Sequence, residues 1–213
     1  MTVEIRRGND RFVEKEDGRL TKHSLSFGER YDPANLRFGP MVCHDDHLLG
    51  RGRGFATHRH SDLLIVTYVV SGALEHTDAS GTLVVPAGHF AVWRTGPEGE
   101  HSEIAAQPQT RFVQAWLTRA GDTASTYEVL GEDAVGLPDG AHLSLIRLDA
   151  GETATLPEAP LVHAYVVRGA LLRSSLADPL QEGDAFRFTD EPAHEVTAAV
   201  PTELLVWTFP RQD

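Results

Sequence analysis

The sequence has a single cysteine, only two methionines and no long run of apolar residues. Cys43 cannot form an intrachain disulfide, and such sparse cysteine usage is typical of proteins in a reducing compartment. No stretch approaches the roughly 20 apolar residues that a membrane-spanning helix requires. The residues after Met1 include several charged side chains and lack the apolar segment of a signal peptide. We therefore expect a soluble, cytoplasmic protein without a membrane partner.

Positive charge is also scarce. The chain has 19 Lys and Arg residues against 31 Asp and Glu residues, for a net charge of -12. Such a chain repels the phosphate backbone of nucleic acids, so a nucleic-acid partner is not predicted. With 213 residues, of which 41% are hydrophobic, the chain can form a sizeable core in one large domain or two small ones.

An internal repeat organises the chain. Residues 67–74 read TYVVSGAL and residues 164–171 read AYVVRGAL, so six of eight positions match at an offset of 97. One repeat at this spacing indicates that a whole module was duplicated, because solenoid repeats have shorter periods. We place the first module at residues 1–120, a connector at 121–140 and the second module at 141–213.

Amphipathic helices are nearly absent, apart from one short helix that we predict around Ser125–Leu130. Each copy of the repeat instead has β-branched and aromatic residues followed by a turn glycine, as expected for a strand that enters a turn. Short runs of the same kind, broken by Gly, Pro and Asp, surround both copies. The sequence therefore predicts an all-β protein with two β-barrel or jelly-roll modules in tandem. The predicted strands include 63–70, 81–85, 90–93, 111–117, 142–148, 185–188 and 203–209.

Two pairs of potential metal ligands have i, i+2 spacing. His58 and His60 form one pair, and His101 and Glu103 form the other. Residues two apart on a strand point to the same face, so each pair can project into one barrel. Two such strands, side by side, would bring three imidazoles and one carboxylate to one point. The spacing therefore predicts one metal ion in the first module, bound by these four residues.

This ligand set suits a divalent transition-metal ion. An octahedral ion would keep positions open for substrate, dioxygen or water, whereas zinc would usually accept the same ligands in tetrahedral geometry. His76 is expected near the site as a supporting or core residue. His89 lies in a predicted turn. Apart from His194 in the second module, the remaining histidines have no partner at ligand spacing: His23, His44, His47, His142 and His163.

The second module is predicted to lack a metal. A shift of 97 residues places its four ligand positions on side chains that are not good metal ligands: Thr155, Pro157, Ala198 and Val200. His194 and Glu195 lie just before the last two of these positions. We expect one metal-binding module and one structural module.

The segment GFATHRHSDLLIVTYVVSGALEHTDASGTLVVPAGHF at residues 54–90, with His-Ser-Glu at 101–103, resembles the pirin family of bicupins. It is most similar to bacterial pirin-like proteins of the quercetin 2,3-dioxygenase type. HSLSF at 23–27, YDP at 31–33, GDA at 183–185 and the strand at 203–209 extend the resemblance over nearly the whole chain.

The resemblance implies a bicupin fold with His58, His60, His101 and Glu103 as metal ligands. It also implies Fe(II) as the natural metal, replaceable by other divalent ions, and oxidative cleavage of flavonols such as quercetin in some members. Other members are linked to transcription as redox-sensing cofactors. The family usually has a glutamate where this chain has Leu64, so an acid–base or supporting group is expected to be missing here. Glu98 and Glu100 are expected to narrow the entrance to the site.

Three functions fit these observations. The first is an iron-dependent dioxygenase for a flavonol or a related enol or phenol, with a small aromatic substrate and with His76 or Glu98 as candidate proton acceptors. The second is a non-catalytic metal- or redox-sensing protein that a protein partner recognises. The third is a structural bicupin with vestigial metal affinity. In each case we expect a monomer.

Overall fold

The computed structural model describes residues 1–119, 121, 124–131 and 135–211. The chain divides into two compact units. The first unit spans residues 12–132, and the second comprises residues 1–11 together with 133–213. Apart from two short 3₁₀ helices, Gly8–Asp10 and Pro138–Gly140, the regular elements of the described residues are β-strands. Among the described residues, no helix has the length and apolar character needed to cross a membrane.

The first unit contains two antiparallel sheets. Its strands are β2 (Phe12–Glu16), β3 (Arg19–His23), β4 (Met41–Leu49), β5 (Gly54–His60), β6 (Leu63–Ser71), β7 (Ala73–Asp78), β8 (Gly81–Pro86), β9 (Phe90–Arg94), β10 (Gly99–Ala105), β11 (Thr110–Thr118) and β12 (Thr126–Leu130). The larger sheet has the order β12-β9-β6-β11-β4-β3-β2, and the smaller has the order β5-β10-β7-β8. The inner faces of the two sheets form a jelly-roll interior.

The second unit is also built from antiparallel strands. They are β1 (Thr2–Arg6), β13 (Val135–Gly136), β14 (His142–Leu148), β15 (Thr153–Leu156), β16 (Leu161–Arg168), β17 (Ala170–Leu171), β18 (Leu180–Gln181), β19 (Ala185–Thr189), β20 (His194–Thr197) and β21 (Thr202–Phe209). Its main sheet has the order β1-β19-β16-β21-β14-β13, and β15-β20 and β17-β18 form separate pairs. Leu156, Phe186, Val196 and Val206 belong to its apolar core. The predicted all-β bicupin fold is confirmed.

The repeated YVV-x-GAL segments occupy equivalent positions in the two units. Gly72 follows β6 with a φ of +74°, and Gly169 follows β16 with a φ of +83°. Each glycine lies against a threonine on the neighbouring strand, Thr110 in the first unit and Thr202 in the second. The hydroxyl of each threonine accepts a hydrogen bond from the amide of the alanine after the glycine and donates one to the carbonyl of that alanine. The duplication therefore includes the turn and the threonine that supports it.

Two features differ from the sequence predictions. Residues 1–11, which we had assigned to the first module, lie in the second unit, because β1 pairs along its whole length with β19. The helix predicted around Ser125–Leu130 is wrong. Thr126–Leu130 is instead strand β12, which pairs with β9 at the edge of the larger sheet. The alternation of Tyr127 and Val129 against that sheet explains the strand, and both side chains pack on the core of the first unit.

Candidate metal centre

Strands β5 and β10 are hydrogen-bonded neighbours. In their antiparallel register His101 lies opposite His58, and Gly99 lies opposite His60. A β-bulge interrupts the ladder between His101 and Glu103. Such bulges are common near functional sites, where they redirect a side chain. The two sequence motifs therefore lie side by side on the smaller sheet, as their spacing predicts.

Three imidazoles converge at this point. The Nε2 atoms of His58 and His101 are 3.0 Å apart. The ring centroid of His60 lies 4.7 Å from that of His58 and 5.2 Å from that of His101. One nitrogen from each of the three rings lies within 4.8 Å of the other two, which is the spacing of ligands around one ion.

A second group of potential metal ligands also contains His101. His76 on β7, His101 and Glu103 also bring one donor atom each within 4.8 Å of one another. His76 Nδ1 is 3.2 Å from His101 Nδ1, and His76 Nε2 is 3.5 Å from a carboxylate oxygen of Asp78. The ring of Tyr127 stacks on that of His76 at a centroid distance of 3.6 Å. His76 therefore contacts the far nitrogen of His101, as expected for a residue that supports a metal ligand.

Glu103 is 3% exposed and is held by an amide side chain. Gln114 Nε2 on β11 lies 2.9 Å and 3.1 Å from the two carboxylate oxygens of Glu103. The same amide group is 3.0 Å from the hydroxyl of Thr67, and Trp116 Nε1 donates to Gln114 Oε1 at 2.8 Å. These contacts fix the amide orientation and hold the carboxylate in the barrel interior.

Burial favours the neutral imidazole at His60 and His101. Burial, with the neighbouring His58, lowers the pKa of His60 to about 4. Burial and the three nearby histidines lower the pKa of His101 to about 2. Burial raises the pKa of Glu103 to about 7, although the hydrogen bond from Gln114 opposes this shift. A neutral imidazole is the form that binds a metal ion.

The donor set fits a divalent cation. His58 Nδ1 is 2.7 Å from the carbonyl oxygen of Ala56 and donates to it, and His101 Nδ1 faces His76, so both Nε2 lone pairs point to the same place. His60 Nε2 is buried and has no hydrogen-bond partner among the described residues. Convergent lone pairs with their far nitrogens already engaged are typical of histidine metal ligands. The ligand set of His58, His60, His101 and Glu103 remains a prediction. The donor atom of Glu103 lies within 4.8 Å of those of His101 and His76, in a group that does not include His58 or His60.

Two cavities flank the cluster within the first unit. One, of about 220 Å³, is lined by His58 and Glu103 together with aromatic and polar side chains that include Phe27, Phe55, Trp116, His23, Asp45, His47 and Arg19. The other, of about 620 Å³, is lined by His101, Asp78, Glu98 and Glu100 among others. The predicted acidic segment therefore borders the larger cavity. There Arg59 Nε donates to a carboxylate oxygen of Glu100 at 2.9 Å, and this interaction, with the charge of Glu98, raises the pKa of Arg59.

Leu64 does not line the site, so the role expected for this position is wrong. On β6, Thr67 faces the interior, where its hydroxyl contacts Gln114. Side chains alternate along a strand, so Leu64 lies on the opposite face of the sheet from Thr67. It is buried there, opposite Leu117 of β11 and Arg94 of β9. A carboxylate at this position would not reach the cavity.

The gap-free projection onto the second module also requires correction. In the β15–β20 pair, Thr155 lies opposite Glu195 and Leu156 opposite His194. The register thus differs by three residues from the projection that paired Thr155 with Ala198. Leu156 and Val196 belong to the apolar core, whereas His194 contacts Glu191 at 3.4 Å and Phe188. A second module without metal remains a prediction, now based on the apolar side chains at these inward positions.

The sequence predictions missed a second set of polar side chains in the interior. His23 on β3 contacts Asp45 on β4 at 2.9 Å, and Thr21 contacts His47 at 2.9 Å. Asp45 and His47 have the same i, i+2 spacing as the predicted ligands and lie on a strand, β4, that was not predicted. A search for alternating polar residues that included Asp would have found them.

The chain is similar to known proteins along nearly its whole length. The sequence model of the Pirin family matches residues 7–117. A Mycobacterium tuberculosis protein with a provisional quercetin 2,3-dioxygenase name is 36% identical over 97% of this chain and 94% of its own length. The quercetin 2,3-dioxygenase of Escherichia coli K12 is 27% identical over 98% of this chain and 99% of its own length. Among solved structures, the E. coli bacterial pirin YhhW in complex with nickel(II) superposes with a TM-score of 0.90 at 23% identity, covering 99% of this chain and 100% of that one.

Proposed function

The chain belongs to the pirin family, and from this premise we propose that it is a metal-dependent dioxygenase that cleaves flavonols, such as quercetin, or related enols and phenols. The observation that carries the proposal is the convergence of His58, His60 and His101, with the buried carboxylate of Glu103 beside His101, next to an aromatic-lined cavity. We propose His58, His60, His101 and Glu103 as the ligands of one divalent ion, with Fe(II) as the catalytic metal. The nickel(II) complex of the E. coli relative supports the binding of a divalent ion by this chain.

The cavity of about 220 Å³ is the proposed substrate site. It is smaller than the roughly 300–1,000 Å³ of typical ligand pockets, so it suits one or two aromatic rings, with the rest of a larger flavonol extending outward. Phe27, Phe55 and Trp116 provide apolar walls. A bound divalent ion would supply positive charge for an ionised enol or phenol oxygen and a redox centre for dioxygen.

The two proton acceptors suggested by the sequence are poorly placed for this substrate. His76 is 1% exposed and contacts His101, but it does not line the smaller cavity. Glu98 is exposed and borders the larger cavity. Neither residue is therefore assigned a catalytic role here, and His76 is better placed to orient His101.

Oxygen consumption tests the proposal. Iron-loaded protein is mixed with a panel of flavonols and simpler phenols under air, and oxygen uptake and substrate loss are measured together. We expect equimolar consumption of oxygen and flavonol by the wild type and none by the His101→Ala variant. If the wild type with confirmed iron occupancy consumes neither, the dioxygenase proposal is wrong, and the metal- or redox-sensing function becomes the better explanation.

A further inference from the structure

His23 and Asp45 form a buried pair on adjacent strands of the larger sheet. His23 Nδ1 is 2.9 Å from a carboxylate oxygen of Asp45. The residues are 3% and 4% exposed, so the contact is well shielded from water. The imidazole of His23 stacks on Phe27 with an interplanar angle of 7° and a centroid distance of 5.1 Å. Asp45 and Phe27 together fix both the orientation of the ring and the nitrogen that remains available.

The register of the sheet places this pair on the same row as the residue that holds Glu103. His23 lies opposite Asp45, and Asp45 lies opposite Gln114, whose amide contacts Glu103. Neighbouring strands are about 4.8 Å apart, so the backbones of His23 and Gln114 are separated by about 10 Å. His23, Asp45, His58 and Glu103 all line the cavity of about 220 Å³. A flat substrate that contacts an ion held by His58 and Glu103 would therefore lie in the same cavity as His23.

Among the residues that the structure describes, the contact recorded for the remaining nitrogen of His23 is a long one. His23 Nε2 is 3.8 Å from a carboxylate oxygen of Glu14, beyond ordinary hydrogen-bond length. A hydroxyl group in the cavity can thus approach this nitrogen directly. In the same cavity, His47 has its Nδ1 engaged by Thr21.

The surroundings of His23 and His47 shift the pKa values of these two residues in opposite directions. Burial lowers the pKa of His23, but the hydrogen bond to Asp45 and the charges of Asp45 and Glu14 outweigh it, so the pKa lies above its ordinary value. Burial lowers the pKa of His47 to about 4. Other titratable groups around the pair include Cys43, whose pKa is raised by burial and by Asp45, together with Asp46 and Arg19. Two histidines whose pKa values are separated in this way are typical of acid–base sites.

We propose that His23, oriented by Asp45, is the catalytic base that removes the proton from an acidic enol or phenol hydroxyl of a substrate bound in this cavity. The inference rests on the proposed function and adds a residue and a proton path to it. The O–H bond breaks, its electron pair stays on the substrate oxygen, and the proton moves to His23 Nε2. Asp45 stabilises the resulting imidazolium, and His23 returns the proton to the carboxylate or phenolate of the product. This division of roles follows the general logic of His–carboxylate pairs.

A purely structural pair would satisfy the same hydrogen bond without contacting a substrate. The two roles differ in their response to conservative changes. Asp45→Asn keeps a polar partner for His23 but removes the negative charge that stabilises the imidazolium. His23→Gln keeps a hydrogen-bonding side chain but removes the basic nitrogen. His142→Gln, an exposed histidine on β14 of the second unit, is the matched control.

The first test follows the bound substrate without turnover. Nickel-loaded wild type, His23→Gln, Asp45→Asn and His142→Gln are mixed with quercetin without oxygen, and the absorption of bound quercetin is recorded against pH. We expect the wild type and His142→Gln to bind the deprotonated flavonol near neutral pH. Because His23 and Asp45 act together, the variants His23→Gln and Asp45→Asn should both require a pH higher by about one unit to reach the same fraction of deprotonated quercetin.

The second test uses iron-loaded protein with confirmed metal content. The ratio kcat/KM for quercetin should fall by about 10²-fold or more in His23→Gln. The limb of its pH profile that reports a basic group should disappear in this variant. Its metal content and thermal stability should stay near those of the wild type. Unchanged spectra and an unchanged pH profile in both dyad variants overturn the inference and leave the dioxygenase proposal intact. Deprotonation that depends on His23, without oxygen uptake, overturns the dioxygenase proposal alone. If quercetin does not bind to nickel-loaded wild type, both fall.

Discussion

The histidines of the first unit show how one side chain acquires different properties from its surroundings. His58 and His101 each have one nitrogen engaged by a neighbour and the other directed at a shared point. His47 is buried beside a hydroxyl, and its pKa is lowered. His23 faces a carboxylate, and its pKa is raised. Sequence spacing identifies the residues that can meet, but the partner of the second ring nitrogen determines their chemistry.

The first prediction concerns the central ligand. His101 belongs to both groups of potential ligands, so His101→Ala removes one donor from each. We expect its affinity for nickel or iron to fall by more than about 100-fold, because changes in supporting residues alone cost about 10–100-fold. Metal content by mass spectrometry and calorimetric titration measure the effect. His142→Ala is the control, and unchanged metal content in His101→Ala would contradict the ligand assignment.

The second prediction concerns the residues behind His101. Asp78 faces His76 at 3.5 Å, and His76 faces His101 Nδ1 at 3.2 Å, so this chain of contacts orients the ligand. We expect Asp78→Asn and His76→Gln to lower metal affinity by about 10-fold, less than His101→Ala. Calorimetric titration with nickel gives the comparison. Asp149→Asn, outside the first unit, should have no effect; an equal loss in that variant would show that the change is not local.

At the scale of strands, short runs of β-branched and aromatic residues predicted three strands of the larger sheet. The predicted runs at 63–70, 90–93 and 111–117 correspond to β6, β9 and β11. Strand β4 was missed, because its inward residues Cys43, Asp45 and His47 are mostly polar and do not resemble a core strand. The short segment of β12 was interpreted as a helix, because the sheet edge that stabilises it is formed by residues distant in sequence.

The same limit applies to the site. Spacing along one strand predicted that His58 and His60, and likewise His101 and Glu103, share a face. It could not predict that Gln114 on β11 would hold Glu103, or that His23 would meet Asp45, because these contacts join strands that are separated in sequence. The role expected for Leu64 followed from the family resemblance, and only the pairing of β6 shows that this residue lies on the opposite face of the sheet from Thr67.

The third prediction concerns His47 on β4 and the loss of stability at low pH. Burial lowers the folded-state pKa of His47 to about 4, from an ordinary value of 6.5. Between these values the unfolded chain binds more protons, so stability falls as the pH falls from 6.5 towards 4, by up to about 3 kcal/mol from this residue. Urea unfolding at pH 7 and pH 4.5 should show a smaller acid-induced loss in His47→Gln than in the wild type. Equal losses in both proteins would refute the assignment.

The fourth prediction concerns the turn repeated in both units. Gly169 and Gly151 have the same φ of +83°, but a Cβ on Gly169 would meet Pro201 and Thr202, whereas one on Gly151 meets nothing within 4 Å. Gly151→Ala should therefore cost only the roughly 1–2 kcal/mol of a left-handed alanine. Gly169→Ala should cost about 1–3 kcal/mol more, because the neighbouring backbone must move. Urea unfolding of both variants makes the comparison, and equal costs would show that the contact with Thr202 is not restrictive.

At the scale of the whole molecule, the two units preserve the turn and diverge at the site. Both retain a glycine against a threonine that bridges the next alanine. In contrast, the pair β15–β20 has a register different from that expected by projecting β5 and β10, and Leu156 and Val196 fill its inward side. Turn geometry is needed for folding in both units, whereas a buried set of ligands is useful only where it binds an ion.

The last prediction follows from this difference. We expect one tightly bound transition-metal ion per chain, located in the first unit, with His194 and Glu195 making no contribution. An ion that binds only the folded state adds RT ln(1 + [L]/Kd) to its stability, about 2.7 kcal/mol at 100 times Kd. Nickel should therefore raise the melting temperature of the wild type and of His194→Ala equally, and should leave His101→Ala unchanged. Two tightly bound equivalents by elemental analysis, or a loss of the stabilisation in His194→Ala, would place a metal ion in the second unit.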